Sequence, residues 1–156
     1  MKKKSEKLVK VFTWILFTMY IMIVFYFTFF SEHFGRTKIH NDYSYNLIPF
    51  KEIKRFWKYR GLLGFENVMV NLFGNVLVFV PFGIILPFLS RRSRSFLLVT
   101  LLTLEFSLLI EVIQLITRKG CFDVDDLILN TLGGSLGYIL LLGMVMIKRK
   151  WRKRNA

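Results

Sequence analysis

The chain has 156 residues, of which 54% are hydrophobic and 17% aromatic, and its formal net charge is +13. A soluble domain of this length has too small an interior to bury so many apolar side chains, which excludes an ordinary soluble fold. The charge does not indicate nucleic-acid binding, because the basic residues cluster beside the apolar stretches, where they set membrane orientation and attract anionic lipid.

Four apolar stretches of 20 to 22 residues predict four transmembrane helices. A helix needs about 20 apolar residues to cross the bilayer core, whereas a buried helix of a soluble protein is usually shorter and keeps a polar face. We therefore predict an all-α integral membrane protein whose four-helix domain covers residues 11–147. Its spans are 11–30, 68–89, 96–117 and 127–147.

Basic segments flank this domain at both ends, over residues 1–10 and 148–156. We predict that the first span is an uncleaved anchor, because its apolar run exceeds a signal-peptide core and no small-residue cleavage site follows it. Four spans place both termini on one side of the membrane, and that side would carry 14 Lys and Arg residues against 9 on the other. This asymmetry predicts that both termini are cytoplasmic.

The predicted external loop, residues 31–67, holds an extended or turn segment around Pro49 and then an amphipathic segment over 50–60. In the second segment apolar and aromatic side chains alternate with basic ones, which is typical of a helix that lies among lipid headgroups. We assign to this interfacial loop Asn46, Pro49, Phe50, Lys51, Lys54, Arg55, Trp57 and Lys58. The alternative is that the segment only anchors the second span.

Polar residues recur inside the last three spans, where contact with lipid would favour apolar ones. With a helical rise of about 1.5 Å per residue, most of them lie roughly 5–10 Å below the outer boundary. Helical spacing also places them on shared faces, while Asp125 points away from its neighbours. The sequence therefore predicts one polar pocket in the outer leaflet, formed by Asn71, Asn75, Glu111, Gln114, Arg118, Asp123, Asp126 and Asn130.

These residues also have structural explanations. Asp123 and Asp126 fit a capping box at the start of the fourth span. The Asn and Gln side chains could form hydrogen bonds that hold the helices together. Gly133, Gly134 and Gly137 are typical of close helix packing. A buried carboxylate such as Glu111 needs a cation, a proton or a cluster of donors, which makes a purely structural role harder to accept.

Four strings in this order resemble the VanZ-like family of small bacterial membrane proteins. They are NLIPF at 46–50, NLFGNVLVFVPFG at 71–83, EVIQ at 111–114 and FDVDDLILNTLGGSLG at 122–137. The resemblance implies a four-helix protein of the bacterial cytoplasmic membrane. For the founding member it implies low-level resistance to teicoplanin, a lipoglycopeptide that acts on cell-wall precursors outside the membrane.

Three functions are compatible with these observations. In the first, which we favour, the protein is not an enzyme and supports lipoglycopeptide resistance or envelope maintenance by binding an amphiphile, such as a lipid-linked cell-wall precursor, in the polar pocket. In the second, Glu111 and Asp126 catalyse a reaction on a lipid-linked precursor. In the third, the chain is a proton-coupled transporter or an assembly scaffold.

The expected partners are membrane lipids, with the lipid-linked precursor or the lipoglycopeptide as ligands and no nucleic acid. A homo-oligomer is left open. Cys121 is the only cysteine and no metal-ligand spacing appears, so we expect no metal and no cofactor.

Overall fold

The computed structural model describes residues 2–30, 42–90 and 92–155. Helices dominate this part of the chain, as the sequence predicts. The helices are α1 (Lys2–Phe29), α2 (Lys51–Lys58), α3 (Arg60–Leu63), α4 (Phe65–Leu89), α5 (Phe96–Thr117) and α6 (Val124–Arg154), with a 3-10 turn at Arg92–Arg94. Residues 31–41 of the predicted external loop lie outside the described part.

Four helices are long and apolar enough to cross a membrane, which confirms the prediction of an all-α, four-span protein. The candidate spans are Lys7–Phe29, Val68–Leu89, Phe96–Thr117 and Val124–Arg154. The middle two coincide with the predicted bounds. α6 continues through most of the predicted basic tail, and the basic side chains in its last turn complement the negative end of the helix dipole.

α6 lies at the centre of the bundle, between α4 and α5. Gly133 and Gly137 of α6 contact Val76 and Val80 of α4 in the same order along the chain, so the two helices run parallel. α5 runs antiparallel to α6, and α1 packs on the outside of α4. The amino-terminal ends of α4 and α6 therefore meet the carboxyl-terminal ends of α1 and α5 at one end of the bundle.

The glycines of α6 mark its closest helix contacts. A Cβ atom added at Gly137 would lie 2.1 Å from the carbonyl oxygen of Val80, and one at Gly133 would lie 2.2 Å from that of Val76. A Cβ atom at Gly134 would lie 2.3 Å from Thr103 Oγ1 of α5. Any side chain at these positions would push the helices apart.

Two short strands, which the sequence analysis did not predict, join the external loop to the start of α6. Strand β1 (Ser44–Asn46) pairs in parallel with β2 (Cys121–Asp123), with Asn46 opposite Asp123. This pairing lies at the end of the bundle where α4 and α6 begin. It brings the loop onto the polar residues of the last three spans.

Candidate functional site

A cavity of about 380 Å³ lies between α1, α4, α5 and α6 at this end of the bundle. Six of the eight predicted pocket residues line it: Asn71, Asn75, Glu111, Gln114, Asp126 and Asn130. α1 supplies much of the opposite wall, which is mostly apolar. The structure therefore brings the polar residues of three spans around one space.

The other two predicted residues lie elsewhere. Asp123 lines a neighbouring cavity of about 150 Å³ beneath α2. Arg118 follows the last residue of α5 with a positive φ of 54°, and its guanidinium lies 4.6 Å from the ring centre of Tyr43. Arg118 does not line the larger cavity. The prediction placed its side chain on the pocket face of α5, but α5 ends at Thr117, before Arg118.

Glu111 connects α5 to the start of α6. It is only 2% exposed, and its Oε2 atom accepts a hydrogen bond of 2.9 Å from the backbone N–H of Asp123. This bond gives the buried carboxylate a structural partner. Because Glu111 also lines the larger cavity, the same side chain faces both the strand pair and the space between the helices.

The amide side chains of the cavity differ in how they are satisfied. Asn75 Nδ2 donates to Asp126 Oδ1, and Asn130 Nδ2 donates to Ser107 Oγ at 2.8 Å. In contrast, Asn130 Oδ1 and Gln114 Oε1 are buried and have no hydrogen-bond partner among the described residues. Such orphaned acceptors are uncommon in native proteins and call for a specific explanation.

Asp125, which the helical wheel placed away from the pocket, is the main polar residue that the sequence analysis missed. It is 1% exposed and accepts backbone hydrogen bonds from Phe50, from Glu52 at 2.8 Å and from Ile53 at 3.1 Å. Asp125 therefore caps the amino terminus of α2. One signal could have revealed it: the residue before α2 is Phe50, whose side chain cannot cap a helix.

Asp123 joins the strands, α6 and the loop. Its Oδ1 atom caps α6 by accepting the N–H of Asp125 at 2.9 Å, and it also accepts a hydrogen bond of 3.0 Å from Asn46 Nδ2. Burial raises the pKa of the Asp123 carboxyl above its ordinary value, although both hydrogen bonds favour the ionised form. Asn46, which the sequence assigned to the interfacial loop, is buried here.

Other residues of the predicted interfacial loop form an exposed surface on α2. The side chain of Trp57 is 61% exposed, and the exposed basic residues around it include Lys51, Lys54 and Lys58. Arg55 forms an ion pair of 2.6 Å with Glu52 and lines the smaller cavity. Pro49 and Phe50 precede the helix and are exposed. α2 thus presents basic and aromatic groups on the side away from α6.

Cys121 provides a test of the predicted orientation of this end of the protein. It lies half-buried on β2, and burial raises the pKa of its thiol. We expect a membrane-impermeant maleimide to label Cys121 on intact cells. The labelling rate should keep rising above pH 9.0, the ordinary pKa of a thiol, because the thiolate is the nucleophile. Cys121→Ser is the control, and labelling only after permeabilisation would contradict the orientation.

Comparisons with known proteins identify the family of the chain. Residues 17–147 match the VanZ/LLP1 family. Protein VanZ of Enterococcus faecium is 30% identical over 124 residues, which cover 78% of this chain and 68% of that protein. No solved structure matches. The chain therefore belongs to the VanZ/LLP1 family and is a VanZ-like multi-pass membrane protein.

Proposed function

We propose that the protein contributes to lipoglycopeptide resistance of the teicoplanin type, or to maintenance of the cell envelope, by binding an amphiphile in the 380 Å³ cavity. The observation that carries this proposal is the composition of the cavity wall. Carboxylate and amide groups lie at one side, and apolar side chains of α1 and α4 lie at the other. A molecule with a polar head and an alkyl chain satisfies both surfaces at once.

The rim of the cavity supports entry from the membrane rather than from water alone. Ile23 and Phe27 of α1 and Val78 of α4 line the cavity and are each about half exposed. In a bilayer, the exposed faces of these residues contact acyl chains. An amphiphile could therefore move sideways between α1 and α4 and keep its alkyl chain in an apolar environment throughout.

The surface of α2 supports a position among lipid headgroups. Exposed lysines attract anionic lipid, and an exposed tryptophan such as Trp57 is typical of the membrane–water interface. On the predicted orientation, this surface lies in the outer leaflet beside the cavity. Lipoglycopeptides and lipid-linked cell-wall precursors both meet the membrane on that side.

Drug susceptibility tests this proposal directly. The chain is expressed in a susceptible Gram-positive host together with its Glu111→Gln and Asp126→Asn variants. We expect the parent to raise the inhibitory concentration of teicoplanin, and both variants to return it to that of the host, because each replaces a carboxyl group of the cavity by an amide. Susceptibility to vancomycin should not change, because that drug lacks a lipid tail.

Glu105→Gln is the matched control, because Glu105 lies on the same helix but is exposed and does not line the cavity. All variants are compared at equal amounts in the membrane. A parent that inserts well and leaves teicoplanin susceptibility unchanged would contradict the resistance role.

An enzymatic role is the second candidate, and one observation favours it: Glu111 and Asp126 line the same cavity. Two carboxylates around a bound substrate could share general acid and general base roles on a lipid-linked precursor. Envelope lipids that do not change in composition after deletion of the protein would argue against it.

A further inference from the structure

The geometry points to an amphiphile whose head is a primary ammonium group as the ligand of the 380 Å³ cavity. This inference rests on the proposed function and specifies the chemistry of the ligand. It follows from the balance of hydrogen-bond donors and acceptors at the polar side of the cavity, and from the charges that line it.

Two buried hydrogen-bond acceptors of the cavity residues are left without a partner. Gln114 Oε1 and Asn130 Oδ1 have no hydrogen-bond partner among the described residues. Gln114 is only 3% exposed and Asn130 only 5%. A buried carbonyl oxygen loses its bonds to water on folding, so an unpaired one raises the free energy of the protein. A ligand that donates hydrogen bonds to both oxygens would remove this cost.

Three of the donor groups that line the cavity are already engaged with the protein. The amide of Asn75 donates to Asp126, and that of Asn130 donates to Ser107. The hydroxyl of Tyr20 donates to the carbonyl oxygen of Val78 at 3.0 Å. A ligand rich in acceptors, such as a phosphate, would therefore compete with these bonds instead of completing the network.

The charges of the lining favour the same kind of ligand. Glu111 and Asp126 line the cavity, whereas its lining contains no Lys, Arg or His within the described chain. The described basic side chains at this end of the bundle lie on α2 and α3 and at Arg118 and Lys119, and none of them lines the cavity. Because charges interact strongly in a medium of low dielectric constant, an anionic head would be repelled from the carboxylates and a cationic one attracted.

A primary ammonium group fits these requirements in its size, its charge and its number of hydrogen-bond donors. It is compact and carries three N–H donors and no acceptor. Its three donors equal in number the two orphaned oxygens and one carboxylate oxygen. A quaternary ammonium has the same charge but no N–H group, so it would leave Gln114 and Asn130 unpaired. Comparing the binding of these two head groups therefore separates the effect of charge from that of hydrogen bonding.

The test uses the full chain in nanodiscs made with phosphatidylcholine, a lipid whose head group contains no primary amine. Three probes with the same alkyl chain are titrated: dodecylamine, dodecyltrimethylammonium and dodecyl phosphate. Binding is measured by calorimetry, with empty nanodiscs subtracted. We expect dodecylamine to bind about tenfold tighter than the quaternary amine, as a charge-assisted hydrogen bond warrants, and tighter still than the phosphate.

Three variants assign the binding to this cavity. Gln114→Leu should remove most of the preference for the primary over the quaternary amine, because it deletes one orphaned acceptor. Glu111→Gln should weaken both amines. Glu105→Gln, on the exposed side of the same helix, should bind like the parent. An unchanged preference in Gln114→Leu, with unchanged amine affinity in Glu111→Gln, would overturn the assignment.

The outcomes separate this inference from the proposed function. Binding of no probe would contradict an amphiphile site altogether. Phosphate or quaternary amine binding as tightly as dodecylamine would overturn the ammonium assignment and leave an amphiphile site standing. If dodecylamine is preferred, displacement by phosphatidylethanolamine placed in the nanodisc identifies a lipid source, and displacement by an amine-bearing lipoglycopeptide added from outside identifies a drug source.

Discussion

Replacement of Asp125 by alanine is expected to destabilise the protein by about 3 kcal/mol and to release α2 from the start of α6. The carboxylate accepts backbone hydrogen bonds from Phe50, Glu52 and Ile53 at the start of α2. It also places a negative charge at the positive end of α2. Alanine would remove the hydrogen bonds and the charge, and would leave the three backbone N–H groups without their acceptor in a poorly hydrated space.

Thermal unfolding in detergent and limited trypsin digestion measure this effect. α2 contains four basic residues, all in exposed positions, so release of the helix should speed cleavage between residues 51 and 58. Asp42→Ala is the matched control, because Asp42 is exposed. A variant Asp125→Ala with unchanged thermal stability and unchanged cleavage would show that α2 is held by other contacts.

The second large effect is expected at the contact between α4 and α6. Gly137→Ala adds a Cβ atom 2.1 Å from the carbonyl oxygen of Val80, which belongs to a helix backbone and cannot rotate away. The two helices must therefore separate along their contact. We expect a destabilisation of about 3 kcal/mol, at the upper end of the cost of overpacking.

Gly143→Ala is the control on the same helix, because its added Cβ atom would meet nothing within 4 Å. Alanine is the better helix former by about 1 kcal/mol, so this variant should be neutral or slightly more stable. The two substitutions are identical in chemistry and differ only in what lies opposite. Equal thermal stability of both variants would contradict the close contact of α4 with α6.

The helices could be predicted from sequence because their signal is local. Membrane spans are long apolar runs, and the bounds 68–89 and 96–117 coincide with the structure. That six polar residues of three helices lie around one cavity also follows from local information, since it needs only the helical rise and alternating helix directions. Most of the residues that line the cavity on its polar side could therefore be identified from their positions in the sequence alone.

What the sequence analysis missed depends on contacts between distant segments or on where a helix ends. A strand of three residues has no detectable alternation, so the β1–β2 pair gave no pattern to recognise. Asp125 was set aside because a helical wheel compares only residues of one helix, and its partners lie in the external loop. Arg118 was placed on the pocket face by extending α5 one residue beyond its end.

The cap on α2 also has a consequence for the order in which the protein is assembled. Asp125 follows its three backbone partners by 72 to 75 positions, so a ribosome makes α1 to α5 before the acceptor exists. β1 likewise waits for Cys121–Asp123. Until the start of the last span is synthesised, the loop lacks these hydrogen-bond partners. Completion of the polar site is thereby tied to insertion of α6, and a nascent chain that stops before residue 121 leaves the site unbuilt.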